Sequence, residues 1–371
     1  MDGFRFNRDR LAAILTILPS VILLAIFVYG FIFQTAYSSL TDWKGLAANQ
    51  ENNFIGLDNY KQLFTGLLDI RFRQSLVNTF FFTLFFITGC ISLGFIFAVL
   101  LDQNIRYEGF FRLIFLYPMS LSFIVSGTVW RWLFNPSGGI NRLPTLVNLE
   151  ALDFKWLTDR SQIWQFTWLQ LPAIFGYILL IVMVILAFRY RRDGSFWKAW
   201  LVAGIGAATL VWLVTGGADK IQLLSYPEKH GFNVAMIGII VAATWQMAGY
   251  MMAMYIAGIR GIPDELREAA RVDGANEFQI YRKVILPMLR PITLSAMIVL
   301  GHISLKIFDL IFVMTGPDNS STDVPGTLMF VTSFRGNEFA KGAAIATVML
   351  IMVALVIIPY LVTTLRAEHE L

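Results

Sequence analysis

Residues 258–291 read GIRGIPDELREAARVDGANEFQIYRKVILPMLRP, a strongly charged interval set between two apolar ones. Neither Gly231–Ile259 nor Pro291–Leu305 contains Asp, Glu, Lys or Arg, so the interval reads as a water-exposed loop joining two membrane spans. Pro263 suits a first helical position, where its missing N–H would go unpaired anyway, and Asp264 and Glu265 follow where negative charge complements the helix dipole. Leu266, Ala269 and Ala270 recur at helical spacing, and Asp273-Gly274 supplies a turn at which glycine can take a positive φ. Phe278, Tyr281 and Ile285 form a second apolar face, which Pro287 ends or kinks. The expectation is two short helices meeting at a glycine corner and lying across the membrane face, with Ala269 and Ala270 small enough to let a partner approach. On the residues alone, an ordinary connector between spans fits equally well.

Composition supports the membrane setting. Of the 371 residues, 57% are hydrophobic and 15% charged, against roughly 25% charged in a soluble domain. A span needs about 20 apolar residues, and the chain holds about eight stretches of that size. The fold class expected is therefore all-α, a polytopic transmembrane helical bundle. The net charge of +4 is spread over span ends and loops, which argues against a nucleic-acid partner. The single cysteine, Cys90, lies in an apolar run and forms neither a disulfide framework nor a cysteine metal site.

Working outward, Leu11–Gln34 follows Arg5, Arg8 and Arg10. It is too long for a signal peptide and lacks a small-residue cleavage site, so it reads as a retained first span. Asn78–Leu101 is the second and Leu113–Phe134 the third, with Arg131 close enough to its end to snorkel as an interfacial anchor. Phe166–Phe188 and Phe196–Val214 add two more, joined by RYRRDGS, before an external loop from Thr215 to Phe232. Asn233–Ile256 enters the charged loop, Pro291–Met314 leaves it, and Ala343–Thr363 is the last span. With the N-terminus inside, Arg5, Arg8 and Arg10, the Arg189–Lys198 turn, the charged loop and Arg366 all fall on the cytoplasmic side. The positive-inside rule favours that orientation, with both termini and the 258–291 loop in the cytoplasm.

The order Glu268-Ala269-Ala270, Gly274, Val284, Leu286-Pro287 closely resembles the EAA loop of binding-protein-dependent ABC importers, which usually has Ile where this chain has Val284. LTDWKG, GLDNY, NPSGGIN and WLTD are similar to landmarks of the maltose-type carbohydrate branch of those permeases. The resemblance covers most of the chain except about residues 165–230, where two spans are inserted; an even number leaves the topology unchanged. It implies an N-terminal span with external segment over residues 1–77 and a permease core over 78–371. It further implies that Glu268, Ala269, Ala270, Asp273, Gly274, Leu286 and Pro287 couple to an ATPase subunit. The partners implied are a second homologous permease subunit, a pair of ATPase subunits carrying ATP and Mg, an extracytoplasmic substrate-binding protein and the surrounding lipid.

No phosphate-cradling G-x-x-x-x-G-K-[ST] occurs, and the only G-x-G, Gly204 to Gly206, sits in an apolar span. His230, His302 and His369 are scattered, so neither a metal site nor a catalytic constellation is expected, and no cofactor on this chain. What remains is polarity inside the bilayer, where a mid-span charge costs about 2.5–3.5 kcal/mol. His302, Lys306 and Asp309 fall at i, i+4 and i+7 of one span, hence on one helical face, with Gly301 and Ser304 nearby. That face is expected to line a translocation path with Trp245, Gln246 and Tyr250, rings stacking on sugar faces and polar groups bonding hydroxyls. An internal Lys306–Asp309 pair bracing the bundle is an equal reading. The function expected is carbohydrate import by alternating access, with a polyol or glycerol phosphate as the alternative cargo. A secondary transporter acting without an ATPase is a weaker alternative, because it would place more coupling carboxylates in mid-span.

Overall fold

The computed structural model describes residues 8–45, 52–103, 105–221, 223–224 and 226–369, and the side chains among them from residue 14 to 359. Arg5 lies outside the described residues, as do the side chains of Arg8, Arg10, Arg366 and His369. Helix α1 starts at Arg8 and reaches Ser38 through a π-helical stretch at Ala25–Gly30. It is followed by α2 (Asp58–Thr65), α3 (Ile70–Asp102), α4 (Glu108–Ser120) and α5 (Phe123–Leu133). Then come strand β1 (Gln162–Thr167), α6 (Leu171–Arg192), α7 (Phe196–Val214), β2 (Lys229–Asn233) and α8 (Met236–Arg260). The charged loop forms α9 (Asp264–Val272) and α10 (Glu277–Met288), and the chain ends through α11 (Arg290–Leu305), α12 (Asp309–Thr315), α13 (Pro325–Phe330) and α14 (Phe339–His369).

Among the described residues six helices are long and apolar enough to cross a membrane, or up to eight if each of two bent pairs is one span. The α4–α5 pair bends by 100°, where the sequence read one span from Leu113 to Phe134. Pro118 removes a donor from the last turn of α4, Leu121 is extended, and the Ser122 hydroxyl caps α5 by accepting from the Val125 N–H. The α10–α11 pair bends by 65° at Leu289, beside Pro287 and Pro291.

The core is α8, sandwiched between α3 and α4 and touching α11. Two-thirds of its apolar window is buried, 67%, against 6% for the span containing α6 and 11% for α7. Within hydrocarbon, helices associate by close packing and interhelical hydrogen bonds, since lipid tails are as apolar as leucine. Here Phe86, Cys90, Met251 and Met252 pack tightly, Tyr255 Oη meets Thr293 Oγ1 at 3.0 Å and Thr83 donates to Ser304 Oγ at 2.9 Å.

The fold is the all-α polytopic bundle expected, and one two-stranded antiparallel ribbon is added to it. QIWQFT pairs with KHGFN, Gln162 opposite Asn233 and Thr167 opposite Lys229, with a bulge between Ile163 and Phe166. The ribbon draws together the two ends of the inserted helices, which explains why a pair of spans can enter the chain without reversing the orientation of α8 and the later helices. A buried polar knot ties the ribbon to α3: both nitrogens of the Arg73 fork bind the Glu228 carboxylate, His230 bridges Glu228 at 2.8 Å and Gln74 at 2.9 Å, and Asn233 donates to Asn78 at 2.9 Å. Burial lowers the proton affinity of His230, which its hydrogen bond to Glu228 only partly offsets.

Candidate functional site

The 258–291 interval folds as two helices around a left-handed glycine. Helix α9 starts at Asp264, with Pro263 one residue earlier than the sequence placed it, at the cap and not inside the first turn. Its end is a paired cap: Gly274, at φ +80°, donates its N–H to the Arg271 carbonyl at 3.0 Å, and Ala275 donates to the Ala270 carbonyl at 2.9 Å. Glycine at this position satisfies carbonyls the helix would leave open without a Cβ penalty. Asn276 and Gln279 then cap α10 reciprocally, each side chain accepting from the other's backbone N–H at 2.9 and 3.0 Å.

The corner is fastened to the bundle at one point. The Asp102 carboxylate, at the end of α3, receives Arg267 Nη1 at 2.9 Å and the Tyr281 hydroxyl at 2.6 Å, so a single oxygen holds both corner helices. Arg267 also donates to the Ile259 carbonyl, and Ile262, Ile280, Ile285 and Leu289 are buried beneath. Sequence reasoning missed Asp102 and Arg267, and it read Tyr281 as apolar packing; a carboxylate closing a long apolar span was the available signal. The opposite face is uncovered within this chain. Glu268, Ala269, Asp273, Gly274, Leu286 and Pro287 are exposed and Ala270 half-buried, with Val272 88% and Phe278 72% exposed beside them. Phe278 therefore does not share the inward face of Tyr281 and Ile285.

The residues expected along a transport path are dispersed. Helix α11 stops at Leu305, Lys306 caps it, and Asp309 opens α12, so His302, Lys306 and Asp309 do not lie on one continuous helical face. No ion pair within 4.0 Å joins Lys306 to Asp309 among the described residues, and both are exposed. Gly301 and Ser304 are buried, Ser304 against Thr83 of α3, and His302 is half-buried. Gln246 is buried and donates to the Leu121 carbonyl at 2.8 Å, which fastens the α4–α5 bend. Tyr250 is half-buried. Trp245 meets Trp130 edge to face at 5.6 Å in an apolar cleft of ≈ 540 Å³ that includes Phe97 and Phe115. A larger cleft of ≈ 720 Å³ opens between α5 and α12, lined by Arg131, Trp132, Asn135, Arg160, Asp318 and Asn319. Arg131, read from sequence as an interfacial anchor, lines this cleft and donates to the Val313 carbonyl at 3.2 Å.

Bent spans around a central buried helix, with a capped helical corner standing clear at one end, define a multi-pass membrane transport subunit. A family model described as the binding-protein-dependent transport system inner membrane component matches residues 196–367. A probable ABC transporter permease protein of Pyrococcus horikoshii is 34% identical over 96% of this chain and 97% of its own length. A xylose/arabinose import permease protein of Haloferax volcanii is 31% identical over 92% of this chain and 84% of its own. The crystal structure of a bacterial ABC transporter involved in the import of the acidic polysaccharide alginate shares the fold, with a TM-score of 0.60 at 19% identity over 94% of both chains. The chain belongs to the ABC transporter permease family of binding-protein-dependent transport systems.

Proposed function

We propose that the chain is one membrane subunit of an ATP-driven importer that moves a carbohydrate across the cytoplasmic membrane by alternating access. The observation that carries this reading is the uncovered corner itself. Two capped helices present Glu268, Ala269, Val272, Gly274 and Phe278 outward while Asp102 locks them from behind. A rigid element with one bare face and one anchored face can turn a partner's movement into movement of α3, α8 and α11, where a solvated connector could not. The partner is an ATPase subunit, one of two that carry ATP and Mg; this chain binds neither. A second permease subunit completes the pathway, an extracytoplasmic binding protein delivers the cargo, and the corner and both termini face the cytoplasm.

A sugar as cargo is supported by the xylose/arabinose and alginate systems to which the chain is similar. The structure adds a place to look. Helix α11 ends at Leu305 and α12 opens at Asp309, and non-helical backbone of the kind between them is tolerated within a bilayer only against protein or a water-filled path. On this reading Lys306, Asp309 and the Arg131 cleft belong to the route. Uptake of labelled sugars in a strain lacking this gene, restored by the wild-type chain and not by Gly274→Pro, tests the reading. Restoration with no nucleotide-hydrolysing companion would overturn it.

A further inference from the structure

The inserted helices α6 and α7 pack on each other and touch the rest of the chain chiefly through the ribbon at their far ends. Their joining turn, RYRRDGSFWK over residues 189–198, carries Arg189, Arg191, Arg192 and Lys198 against one acid, Asp193. None of the four cations forms an ion pair within the chain among the described residues. In the neighbouring loops Arg112 and Arg260 share Glu108 and Arg267 meets Asp102, while Arg106, Arg282, Lys283 and Arg290 also lack an ion pair among the described residues, so it is the adjoining cleft that sets the 189–198 turn apart. Just behind the turn lies a cleft of ≈ 360 Å³ between the two helices, walled by Ala187, Phe188, Phe196, Ala199, Trp200 and Ala203, with Arg191 as its one charged member. Phe188 and Arg191 are three residues apart on α6, so ring and guanidinium stand on one face. The Lys198 ammonium lies 6.0 Å from the centroid of the Tyr190 ring, which draws it toward the same turn.

Span parity fixes which surface the turn meets. The paired strands hold the outer ends of α6, α7 and the start of α8 together, and each of these helices is about one membrane thickness long. The turn between α6 and α7 therefore emerges on the same side as the corner at Gly274. Cations there also satisfy the positive-inside rule, but that rule asks for neither a cleft nor an arginine at its mouth.

We propose that this end of the hairpin binds one anionic phospholipid, the phosphate seated on Arg191 among Arg189, Arg192 and Lys198 and an acyl chain lying in the cleft against Phe188 and Trp200. A basic pocket between spans fits a lipid headgroup in this way, and only a ligand with both an anion and a chain uses both halves of the site. The inference does not depend on the proposed cargo or on the ATPase.

The test is native mass spectrometry of the intact transporter complex in mild detergent, titrated with phosphatidylglycerol, with phosphatidylcholine and with inorganic phosphate. The wild type retains phosphatidylglycerol over phosphatidylcholine, and inorganic phosphate does not compete at millimolar concentration. Arg191→Ala weakens retention by about fivefold, the effect of one cation near an anionic surface; Arg191→Lys restores most of it. Ala203→Phe, which fills the cleft and leaves every charge, also weakens it. Equal retention of the two lipids, displacement by free phosphate, or unchanged retention in both Arg191→Ala and Ala203→Phe would overturn the assignment.

Discussion

Among the described residues the chain turns through Asp-Gly twice, at Asp193-Gly194 and at Asp273-Gly274, and the two corners are built alike but held differently. Both glycines are left-handed, φ +74° and +80°, and in both the residue after glycine donates 2.9 Å back into the preceding helix, Ser195 to Tyr190 and Ala275 to Ala270. The second corner is fixed to α3 through Asp102, Arg267 and Tyr281, whereas the helices around the first touch mainly each other. Local capping chemistry thus makes the turn, and attachment decides what a push on it can move. On the proposed reading, force at Gly274 reaches the bundle, while force at Gly194 stays within the hairpin of α6 and α7.

The same substitution at both corners should separate them most sharply. Proline cannot adopt the φ of either glycine and removes the capping N–H, a cost of about 3 kcal/mol locally. In Gly274→Pro, uptake should fall to background and the ATPase subunit should no longer co-purify, although the protein still reaches the membrane. In Gly194→Pro, uptake should remain within about twofold of wild type, as expected for a surface change that transmits nothing. Equal loss at both positions would dissolve the distinction.

Removing the fastening while leaving the turn intact comes next in size. Asp102→Ala deprives Arg267 and Tyr281 of their shared acceptor, worth about 2 kcal/mol for hydrogen bonds to a charged group. ATP hydrolysis in the purified complex should then persist with uptake reduced roughly tenfold, an uncoupling of the kind expected when the corner moves without α3. A parallel loss of hydrolysis and uptake would show that Asp102 serves assembly only. Lys306→Met should reduce uptake several-fold with assembly unchanged if this exposed ammonium lies on the route, as proposed. Unchanged uptake would take Lys306 out of it.

The smallest effect concerns the ribbon. Because burial depresses the proton affinity of His230, the unfolded chain takes up a proton near the ordinary histidine value of about 6.5 while the folded chain does not. Stability from this group is therefore complete above that value and declines as pH falls below it. Thermal midpoints in detergent should drop between pH 7.5 and 5.5 for the wild type, and drop less for His230→Gln, which keeps hydrogen-bonding capacity without titrating. The first corner should be insensitive to this change, as it carries no histidine.

Much of this architecture was legible from residue order. The corner was readable because Pro263, Asp273-Gly274 and Pro287 act within a few residues of where they stand, and the Phe196–Val214 helix has the bounds its apolar run implies. Features set by distant partners were not readable. Asp102 and Arg267 are 165 residues apart, and QIWQFT becomes a strand only because KHGFN lies beside it. No proline or paired glycine marks the break after Leu305, so a mostly apolar run from Pro291 to Met314 reads as one continuous helix in spite of Lys306 and Asp309. The path residues were grouped on that assumption, and they separate once the helix ends.

The coupling claim is tested most directly by the accessibility of a single thiol on the bare face of the corner. Cys90, the one native cysteine, is buried, so Ala269→Cys introduces one reactive position. In inverted membrane vesicles this thiol should react with a membrane-impermeant maleimide when the chain is alone, become protected when the ATPase subunits are present, and cross-link to one of them. Labelling in intact cells from the outside, or equal labelling with and without the ATPase subunits, would contradict the account.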